Sequence, residues 1–411
     1  MAIQVTLANF DALLQEDYVQ QDIVSAINKA TIFKDKLRRS APTAGRRRIY
    51  PVQVGTSQGT GSVAEGAALP PVGAGIYQDV IAQAKYLYSR YQITGQSLEF
   101  STRKAFVEFG MRAMTDTKES LMLQVQRQTW GDGQGTLGKL SNGGNPLTVG
   151  STAATITAAY GVAWGSPSTN TTMLFRQNML VQFGAENNGG AGYTVQSVSG
   201  TGITFTPPLV NQVADAVAIT VLGAFATSAE IEGWLKIVGT AAFGTTLGYG
   251  TTYHGINRSN FPVWEGNATD AGGAALSLTN IRAIKDQLFK RGAVAELSVN
   301  SPEVTAAYEA LLTPNQRFVP AIKLEGGATA IEHDGLKFTK DKDAPTKAFN
   351  LMCNTSITWM QTGEPHWLKD SAGAVLRVIE GYDLLTATLK WYSNLDCEQP
   401  RYQAILFNLL P

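Results

Sequence analysis

Apolar residues recur at helical spacing in two long stretches of the N-terminal third of the chain. Between Asn9 and Leu37 the pattern is formed by Leu13, Leu14, Val19, Ile23, Ile27 and Ile32, and Asn9 can cap the start, which predicts a helix. From Thr102 to Trp130 a broad apolar face predicts a second helix, about 40 Å long, which ends at a Gly-Asp-Gly sequence. No adjacent segment offers the first helix a partner, so we expect it to pack away from its sequence neighbours.

Between the two helices the pattern predicts a long hairpin. The segments Arg48 to Val54 and Tyr77 to Thr94 read as strands, and residues 55–75 join them. The joining loop is rich in Gly and Pro and nearly lacks large apolar side chains. A loop of this length without secondary structure is uncommon in a compact domain. It is expected where the hairpin lies across another molecule and becomes ordered by the contacts made there.

From Asn145 to Phe225 the composition changes to Thr, Ala, Gly and Val, with turn sequences at short intervals. This pattern predicts a small antiparallel sheet or barrel, inserted between larger elements. The predicted strands are Met173 to Phe183, Tyr193 to Val198, Ile203 to Thr206 and Val217 to Leu222.

The C-terminal part of the chain mixes helices and strands. Amphipathic spacing predicts a helix from Leu276 to Arg291, and Ser301 followed by Pro302 predicts the start of another that runs to Leu312. Strands are predicted at Ala295 to Val299 and throughout Gly335 to Leu410, with a hairpin turn at Asp370 to Gly373.

Composition favours a globular protein that associates with partners. The 411 residues are 44% hydrophobic, which excludes a disordered chain and suits two or three folding units. Only 16% are charged, against about 25% in an average soluble protein, which leaves area for burial against partners. The 33 basic and 33 acidic residues cancel, so the chain as a whole does not attract nucleic acid or acidic membranes electrostatically.

The sequence predicts neither export nor membrane insertion. The first ten residues, MAIQVTLANF, lack a basic region, and the longest apolar run is too short to span a bilayer. Cys353 and Cys397 cannot build a disulfide framework, and although they could meet in the fold, buried free thiols are the expected state. We therefore expect the protein to stay in a reducing cytoplasm.

Residues 34–48 form the strongest charge cluster of the chain, with seven basic residues opposed only by Asp35. The cluster can pair with acidic residues of a neighbouring subunit, contact nucleic acid, or serve as a solvated linker. Because sequence-independent binding of nucleic acid needs several phosphate contacts on one surface, we favour pairing or a linker over nucleic-acid contact. Arg46, Arg47 and Arg48 are the candidate contact residues.

Two short motifs suggest catalysis or a cofactor, but their surroundings argue against both. Gly55-Thr56-Ser57-Gln58-Gly59 matches a nucleophile elbow, yet no helix can follow it. Gly133 to Gly138 matches a dinucleotide fingerprint, yet it follows a helix instead of opening one. The three histidines lack metal-ligand spacing and are interpreted as solvated or hydrogen-bonded structural residues. We predict no catalytic, cofactor or metal site.

Several local sequences follow one another along the chain in a definite order. They are Gly45-Arg46 before Tyr50-Pro51-Val52; Glu65, Leu69-Pro70 and Gly73 in the loop; a return strand from Tyr88 to Ile93; Gln126-Arg127-Gln128 before Gly131-Asp132-Gly133-Gln134-Gly135; Tyr253-His254-Gly255-Ile256-Asn257-Arg258 before Pro262 and Trp264; and Val299-Asn300-Ser301-Pro302. In this order they resemble the major capsid proteins of tailed bacteriophages with the Hong Kong 97-type fold. No single piece is diagnostic, but the ordered set is fairly specific and covers most of the chain.

The resemblance implies an α+β fold with five parts. Residues 1–45 resemble an N-terminal arm, 46–96 the extended E-loop hairpin that lies over an adjacent subunit, and 97–144 the spine helix and the start of the peripheral domain. Residues 145–225 resemble an inserted small β domain, and 226–411 the axial domain interleaved with returning strands of the peripheral domain. The implied contact candidates between subunits are Arg46, Arg47, Arg48, Glu65, Leu69 and Pro70.

Two departures from the family pattern limit what the resemblance implies. Some members cross-link their subunits through a Lys near the loop tip, but no Lys lies between Gly55 and Ala84. Other members begin with a scaffolding segment of about a hundred residues, far longer than ordinary connections, whereas the arm here starts almost at Met1. We therefore expect no covalent cross-linking by that route, and scaffolding, if needed, from a separate protein.

The resulting expectation is a structural shell protein without enzymatic activity. Copies would assemble as hexamers and pentamers in the host cytoplasm into the icosahedral head of a virion, with separate scaffolding, portal and decoration proteins as further partners. The head would enclose double-stranded DNA without sequence-specific binding, and no membrane or cofactor is involved. Two alternatives stay open: an encapsulin-like nanocompartment that encloses an enzyme, and a multidomain carbohydrate-binding or carbohydrate-acting protein.

Overall fold

The computed structural model describes residues 37–40, 45–57, 59–96, 103–159, 171–172, 174–224, 229–312, 322–323, 329–333, 336–370 and 373–410. Apart from Leu37, the predicted helix from Asn9 to Leu37 lies outside these residues. The same holds for Lys34 and Lys36 of the basic cluster.

The described chain contains many short strands and a few helices. The strands are β1 (Arg38–Arg39), β2 (Arg47–Gly55), β3 (Ile76–Gln83), β4 (Lys85–Thr94), β5 (Thr136–Leu140), β6 (Ala153–Ala159), β7 (Leu180–Phe183), β8 (Tyr193–Val198), β9 (Gly202–Thr206), β10 (Ala218–Val221), β11 (Thr252–Tyr253), β12 (Ile256–Asn257), β13 (Asn267–Asp270), β14 (Leu297–Asn300), β15 (Ile322–Lys323), β16 (Thr329–His333), β17 (Leu336–Lys340), β18 (Phe349–Leu351), β19 (Ile357–Gln361), β20 (His366–Trp367), β21 (Arg377–Val378), β22 (Leu384–Cys397) and β23 (Ala404–Phe407). The helices are α1 (Arg103–Trp130), α2 (Trp234–Val238), α3 (Ala241–Leu247), α4 (Leu278–Lys290) and α5 (Pro302–Leu312).

The long helix α1 confirms the prediction from apolar spacing. It begins at Arg103 and ends at Trp130, where the Gly131 amide donates to the carbonyl of Arg127 at 3.1 Å. The next glycine, Gly133, has a φ of +85°, a left-handed conformation that other residues adopt only with strain. The chain then turns directly into β5, so the Gly-rich sequence after the helix is a turn that leads into a strand and does not open a helix.

A six-stranded sheet, which we call the main sheet, lies beside α1 and contains the longest strand of the described chain. This strand, β22, pairs antiparallel with β4 over ten residues, from Leu384 opposite Thr94 to Ser393 opposite Lys85. On its other side β22 pairs with β19, β20 and β21, and β1 adds to β19 in parallel. Alternate side chains such as Leu87 and Trp391 are buried on the face where Ser89 donates to the Thr117 carbonyl of α1.

A closed six-stranded barrel follows α1, in the strand order β10-β5-β6-β9-β8-β7. Phe183, Tyr193 and Phe205 fill its interior, with ring centroids 4.9 to 5.5 Å apart. Its first strand, β5, precedes the expected start of the inserted domain at residue 145. Met173 lies outside the described residues, and the rest of the predicted strand Met173 to Phe183 is wrong over residues 174–179, because only Leu180–Phe183 forms a strand. The preceding residues form turns, which the apolar pattern did not distinguish from strand.

A second hydrophobic cluster joins the two C-terminal helices to two small sheets, which have the strand orders β14-β17-β16-β15 and β13-β23-β18. Ile281, Ile284 and Leu288 of α4 are buried there, and Tyr308 of α5 stacks on Phe338 with ring centroids 4.1 Å apart. The predicted helices are confirmed with shifts of at most two residues at their ends. Ser277, the N-cap of α4, accepts a hydrogen bond from the Asn280 amide at 3.2 Å.

Two remaining expectations concern chain reversal and membranes. At the hairpin turn predicted after Asp370, the amide of Gly373 donates to the Asp370 carbonyl at 3.1 Å, while Ser371 and Ala372 lie outside the described residues. Within the described ranges, none of the helices combines the length and apolar character needed to cross a bilayer.

Candidate intersubunit surface: the hairpin and its anchor

The predicted hairpin is present and extends over two paired strands. β2 and β3 run antiparallel from Arg47 opposite Gln83 to Gly55 opposite Ile76, with an irregularity near the loop end. Their solvent-facing positions include Ile49 and Tyr77, which are more than half exposed. At the other end β3 stops at Gln83 and β4 starts at Lys85, so the single residue Ala84 marks the change from hairpin to main sheet.

The loop at the tip carries the predicted contact residues on an open surface. Across the base of the loop, the Ser57 hydroxyl donates to the carbonyl of Gly73 at 2.9 Å. Further out, the Ala67 amide donates to the Ala64 carbonyl and closes a turn around Glu65 and Gly66. Leu69 is 83% exposed, and Glu65 and Val72 are exposed as well, while Pro70 is half-buried. An exposed apolar tip of this kind is a surface that lacks a partner among the described residues of the chain.

The root of the hairpin is fixed by a fully buried carboxylate, Asp396 of β22. Its two oxygens accept from Arg48 and Tyr50 of β2, each at 2.9 Å, and Arg48 also donates to Glu398 at 2.9 Å. The imidazole of His254 lies 3.6 Å from the same carboxylate. Burial, followed by the charge of Asp396, raises the pKa of Tyr50, so this hydroxyl keeps its proton and stays a donor. One buried anion thus joins the hairpin to the main sheet.

A second carboxylate, Glu232, continues the cluster on the far side of His254. Its oxygens lie 2.9 Å from His254 Nδ1, 3.0 Å from Lys236 Nζ and 3.7 Å from Lys85 Nζ. Burial alone would raise the pKa of Glu232, but His254 and the two lysines together hold it well below its usual value. Burial also lowers the pKa of Lys85, which Glu232 opposes. The pair Glu232 and His254 therefore links the start of β4 to the root.

Backbone hydrogen bonds fix the same junction. The Ile81 amide of β3 donates to the carbonyl of His254 at 2.8 Å, and the Asn394 side chain donates to the carbonyl of Gln83 at 2.8 Å. His254 has a φ of +47°, a left-handed conformation that is costly for most side chains other than Gly, Asn, Asp and His. We name Arg48, Tyr50, Glu232, His254 and Asp396 the root cluster.

The structure separates the three arginines that the sequence groups together. Arg48 is half-buried and forms ion pairs with Asp396 and Glu398, and Arg46 and Arg47 are exposed at the start of the hairpin. As contact residues between subunits, all three stay predictions. Sequence reasoning missed Glu232 and Asp396 entirely and interpreted His254 as a structural residue, which agrees with its hydrogen bond to Glu232. The only available signal was the Tyr253-His254-Gly255 sequence within the family resemblance.

Near the root, the structure contains an open groove and two buried cysteines. An open groove of about 520 Å³ lies beside the root, between Tyr50 and Tyr402, with Trp264 at its floor. Cys353 and Cys397 are free and buried, and burial raises the pKa of the Cys397 thiol to about 12, which leaves it unreactive. Among the described residues, no three His, Cys, Asp or Glu side chains are grouped so as to hold a metal ion.

Comparison with solved structures identifies the fold. No protein-family model matches the sequence, and no curated protein matches it significantly. A chain of the capsid asymmetric unit of cyanophage A-1(L) is similar to this chain, with a TM-score of 0.55 at 13% sequence identity. The superposed region covers 96% of this chain and 94% of the cyanophage chain. The chain has a phage capsid fold. This confirms the predicted α+β fold of the Hong Kong 97 type.

Two further structures are similar to the capsid fold of this chain at lower scores. The structure from Mycobacterium phage Patience is 7% identical and covers 100% of this chain and 90% of its own, with a TM-score of 0.45. An encapsulin complex from Synechococcus elongatus is 12% identical and covers 35% of this chain and 53% of its own, with a TM-score of 0.29.

Removing the charge of Asp396 should loosen the hairpin. In Asp396→Asn the partly buried ion pair with Arg48 is lost and the Tyr50 hydroxyl loses a charged acceptor, so we expect the free energy of unfolding to fall by about 3 kcal/mol. The urea midpoint measures this loss, and limited proteolysis should cut near Arg46 and Ala84 faster. The exposed Asp286→Asn on α4 is the matched control and should change stability by less than about 0.5 kcal/mol. Equal effects of the two variants would refute the anchoring role.

Stability should depend on acid through Glu232. Because its pKa is lower in the folded chain than in the unfolded chain, its contribution is present above about pH 4.3 and is lost as the pH falls through the folded value. The variant Glu232→Gln lacks this contribution. Carboxyl groups titrate between about pH 6 and about pH 3. Over this interval the wild type should therefore lose more stability than Glu232→Gln. Urea midpoints at each pH measure the difference, and parallel curves would contradict the expectation, since all other carboxyl groups are common to both chains.

Proposed function

We propose that this chain is the major capsid protein of a tailed phage, which self-assembles into an icosahedral head around double-stranded DNA. The observation that carries the proposal is an exposed apolar hairpin tip on a root held by buried ion pairs. A rigid arm with an apolar end gains little within its own chain but a great deal on a neighbour. The capsid fold supports this interpretation, since the chain is similar to a phage capsid subunit over nearly its whole length.

The main proposed partner is another copy of the same chain, and the copies would assemble into hexamers and pentamers. The tip residues Glu65, Leu69 and Pro70 would contact the adjacent subunit, and the exposed Arg46 and Arg47 would pair with its acidic residues. Arg48 already has two carboxylate partners in its own chain, so we assign it to the anchor. Contacts of one kind, repeated around a closed shell, sum to a stable assembly although each is modest.

Further parts of the proposal concern the place and the other proteins of assembly. Separate scaffolding, portal and decoration proteins would act with the shell, which would assemble in the cytoplasm of the bacterial host and become part of the virion. The proposed role is structural and needs no cofactor or enzymatic step. The low charge content of the chain agrees with a protein that buries much of its surface against copies of itself.

Shortening the hairpin should abolish assembly without unfolding the subunit. Residues Gly59 to Pro71 contribute almost no buried side chains, so their deletion should leave the far-ultraviolet circular dichroism and urea midpoint within about 0.5 kcal/mol of wild type. Negative-stain microscopy and sedimentation should then show subunits or small oligomers in place of particles.

A point variant gives a finer test of the same tip. Leu69→Asp places a charge at the exposed end of the hairpin, whereas Val210→Asp places one on an exposed position of the barrel. Only Leu69→Asp should reduce the yield of particles strongly. Normal particles from both the deletion and Leu69→Asp would refute the role of the hairpin, and wild-type particles that retain an enzyme instead of DNA would favour a nanocompartment.

Mature particles should contain no covalently linked subunits. The hairpin from Thr56 to Ala84 contains no Lys, and Lys85 is largely buried with its ammonium group 3.7 Å from Glu232. A denaturing gel of purified particles should therefore show one band near 44.0 kDa. A ladder of multiples under reducing conditions would contradict this expectation, and peptide mass spectrometry would then locate the link.

A further inference from the structure

One face of the main sheet is open and carries exposed aromatic side chains. Along β4, Leu87 and Ile93 point toward the buried side, while Tyr86, Tyr88 and Arg90 alternate with them on the other side. Tyr86 is 47% exposed and Tyr88 is 54% exposed. Large aromatic side chains at such exposure on a regular strand are typical of an interaction surface.

The neighbouring strand extends this aromatic face. Tyr392 of β22 lies opposite Tyr86, and its ring packs edge-on against that of Tyr86 with centroids 5.0 Å apart. The hydroxyl groups of Tyr88 and Tyr392 are 3.1 Å apart. Lys390 lies opposite Tyr88 and places its ammonium group 5.6 Å from the Tyr392 ring centroid. The side chains support one another and form a preformed surface.

The charge of this face is positive. Residues 85–94 and 384–393, which form the two strands, contain Lys85, Arg90 and Lys390 but no Asp or Glu. Lys85 faces Glu232 in the root cluster, so Arg90 and Lys390 remain on the open face. Arg377 of β21 lies opposite Thr386 and adds a third cation to the same face. We name Tyr86, Tyr88, Arg90, Lys390 and Tyr392 the open face.

On this side of the sheet, the open face ends at Tyr392, because other parts of the chain cover β22 from Asn394 onward. The Glu232 amide donates to Asn394 at 3.0 Å, and Arg48 binds Asp396, both on the face that carries Tyr392. On β22, Lys390 and Tyr392 are half-buried and Thr386 is buried, so the most exposed part of this face lies along β4, at Tyr86, Tyr88 and Arg90.

Within this chain, the segment with matching chemistry is the N-terminal stretch. Residues 1–28 contain Asp11, Glu16, Asp17 and Asp22 and no Lys or Arg, and their apolar residues recur at helical spacing. We propose that this acidic stretch of a second copy binds the open face, with its apolar residues on the tyrosines and its carboxylates near Arg90 and Lys390. The inference rests on the proposed function, since it needs copies packed side by side.

The position of β1 favours a second copy over the same chain. Arg38 lies opposite Thr358, which in turn lies opposite Asp396, so the described chain begins at the covered end of the sheet. Asp396 is six residues from Lys390 along β22, about 20 Å at the rise of a strand. On that path the root cluster covers the face. The strand β1 therefore joins the sheet at its covered end, about 20 Å from the open face of its own chain.

Nucleic acid fits the open face less well. Duplex DNA presents phosphates and groove edges but no ring faces, so the tyrosines would gain little from it. Three cations also fall short of the several phosphate contacts that sequence-independent binding requires. An amphipathic acidic segment uses the apolar and the charged parts of the face together.

Cross-linking within assembled particles tests this contact. Gln92→Cys places a thiol at an exposed position of the open face without removing a tyrosine, and Val19→Cys places one on the acidic stretch. The two full-length chains are co-expressed with a tag on one of them. We expect mild oxidation to join tagged to untagged chains about tenfold more often than a control pair with Phe289→Cys, an exposed position on α4. The native cysteines Cys353 and Cys397 are buried and are present in both the test pair and the control pair, so they do not affect the comparison.

Charge reversal gives a second, independent measurement. Arg90→Glu with Lys390→Glu should lower the cross-link yield about tenfold, and Glu16→Lys with Asp17→Lys on the partner should restore most of it. Reversal of Arg282 and Lys290, exposed on α4, is the matched control and should leave the yield unchanged.

Several outcomes would overturn the inference. They are equal yields for Gln92→Cys and Phe289→Cys, a cross-link that forms only within single chains carrying both thiols, and a thiol at position 92 that becomes reactive only after nuclease treatment. The last result would assign the face to nucleic acid. Particles that form without the cross-link overturn this inference alone, whereas a chain that forms no particles in any co-expression overturns the proposed function.

Discussion

The structure depends on one buried carboxylate that joins the hairpin to the body. Asp396 is fully buried, and both of its oxygens accept hydrogen bonds from β2, one from Arg48 and one from Tyr50. A buried anion without such donors would cost several kcal/mol, roughly the whole stability margin of a domain. The hairpin and the sheet are therefore stable only together. Because the hairpin has little core of its own, its direction is set by this contact and not by its own packing.

The remainder of the root cluster explains why the junction tolerates so many buried charges. Glu232 sits between two lysines and His254, and its lowered pKa shows that the cations more than offset its desolvation. The left-handed backbone of His254 is held by the contact of its side chain with Glu232 on one side and by the Ile81 amide on the other. Apolar residues of the same volume could stabilise the site equally well, but they would not select one register of the hairpin. We interpret the charges as a means of fixing geometry.

The elements predicted from sequence are those that local patterns determine. The helices α1, α4 and α5 follow from apolar spacing and caps within a few residues, and the exposure of the tip follows from a long loop that is rich in Gly and Pro and has few large apolar side chains. The root cluster could not be predicted, because Arg48 and Asp396 are 348 positions apart and a strand pattern shows which face is buried but not what it meets. For the same reason Arg48 was grouped with Arg46 and Arg47. The error at Met173 to Phe183 has a local cause, since apolar turns and strands share composition there.

A rigid root changes what a weakly binding tip can achieve. Burial of apolar surface contributes about 25 cal/mol per Å², so the few exposed side chains around Leu69 can supply only a few kcal/mol to any single contact. If the hairpin moved freely, much of this gain would be lost in ordering it on each neighbour. Because the root cluster orients the hairpin beforehand, that loss is borne once, when the subunit folds. In the closed shell that we propose, every subunit would both give and receive such a contact, so modest contacts on oriented hairpins would add up to a stable assembly.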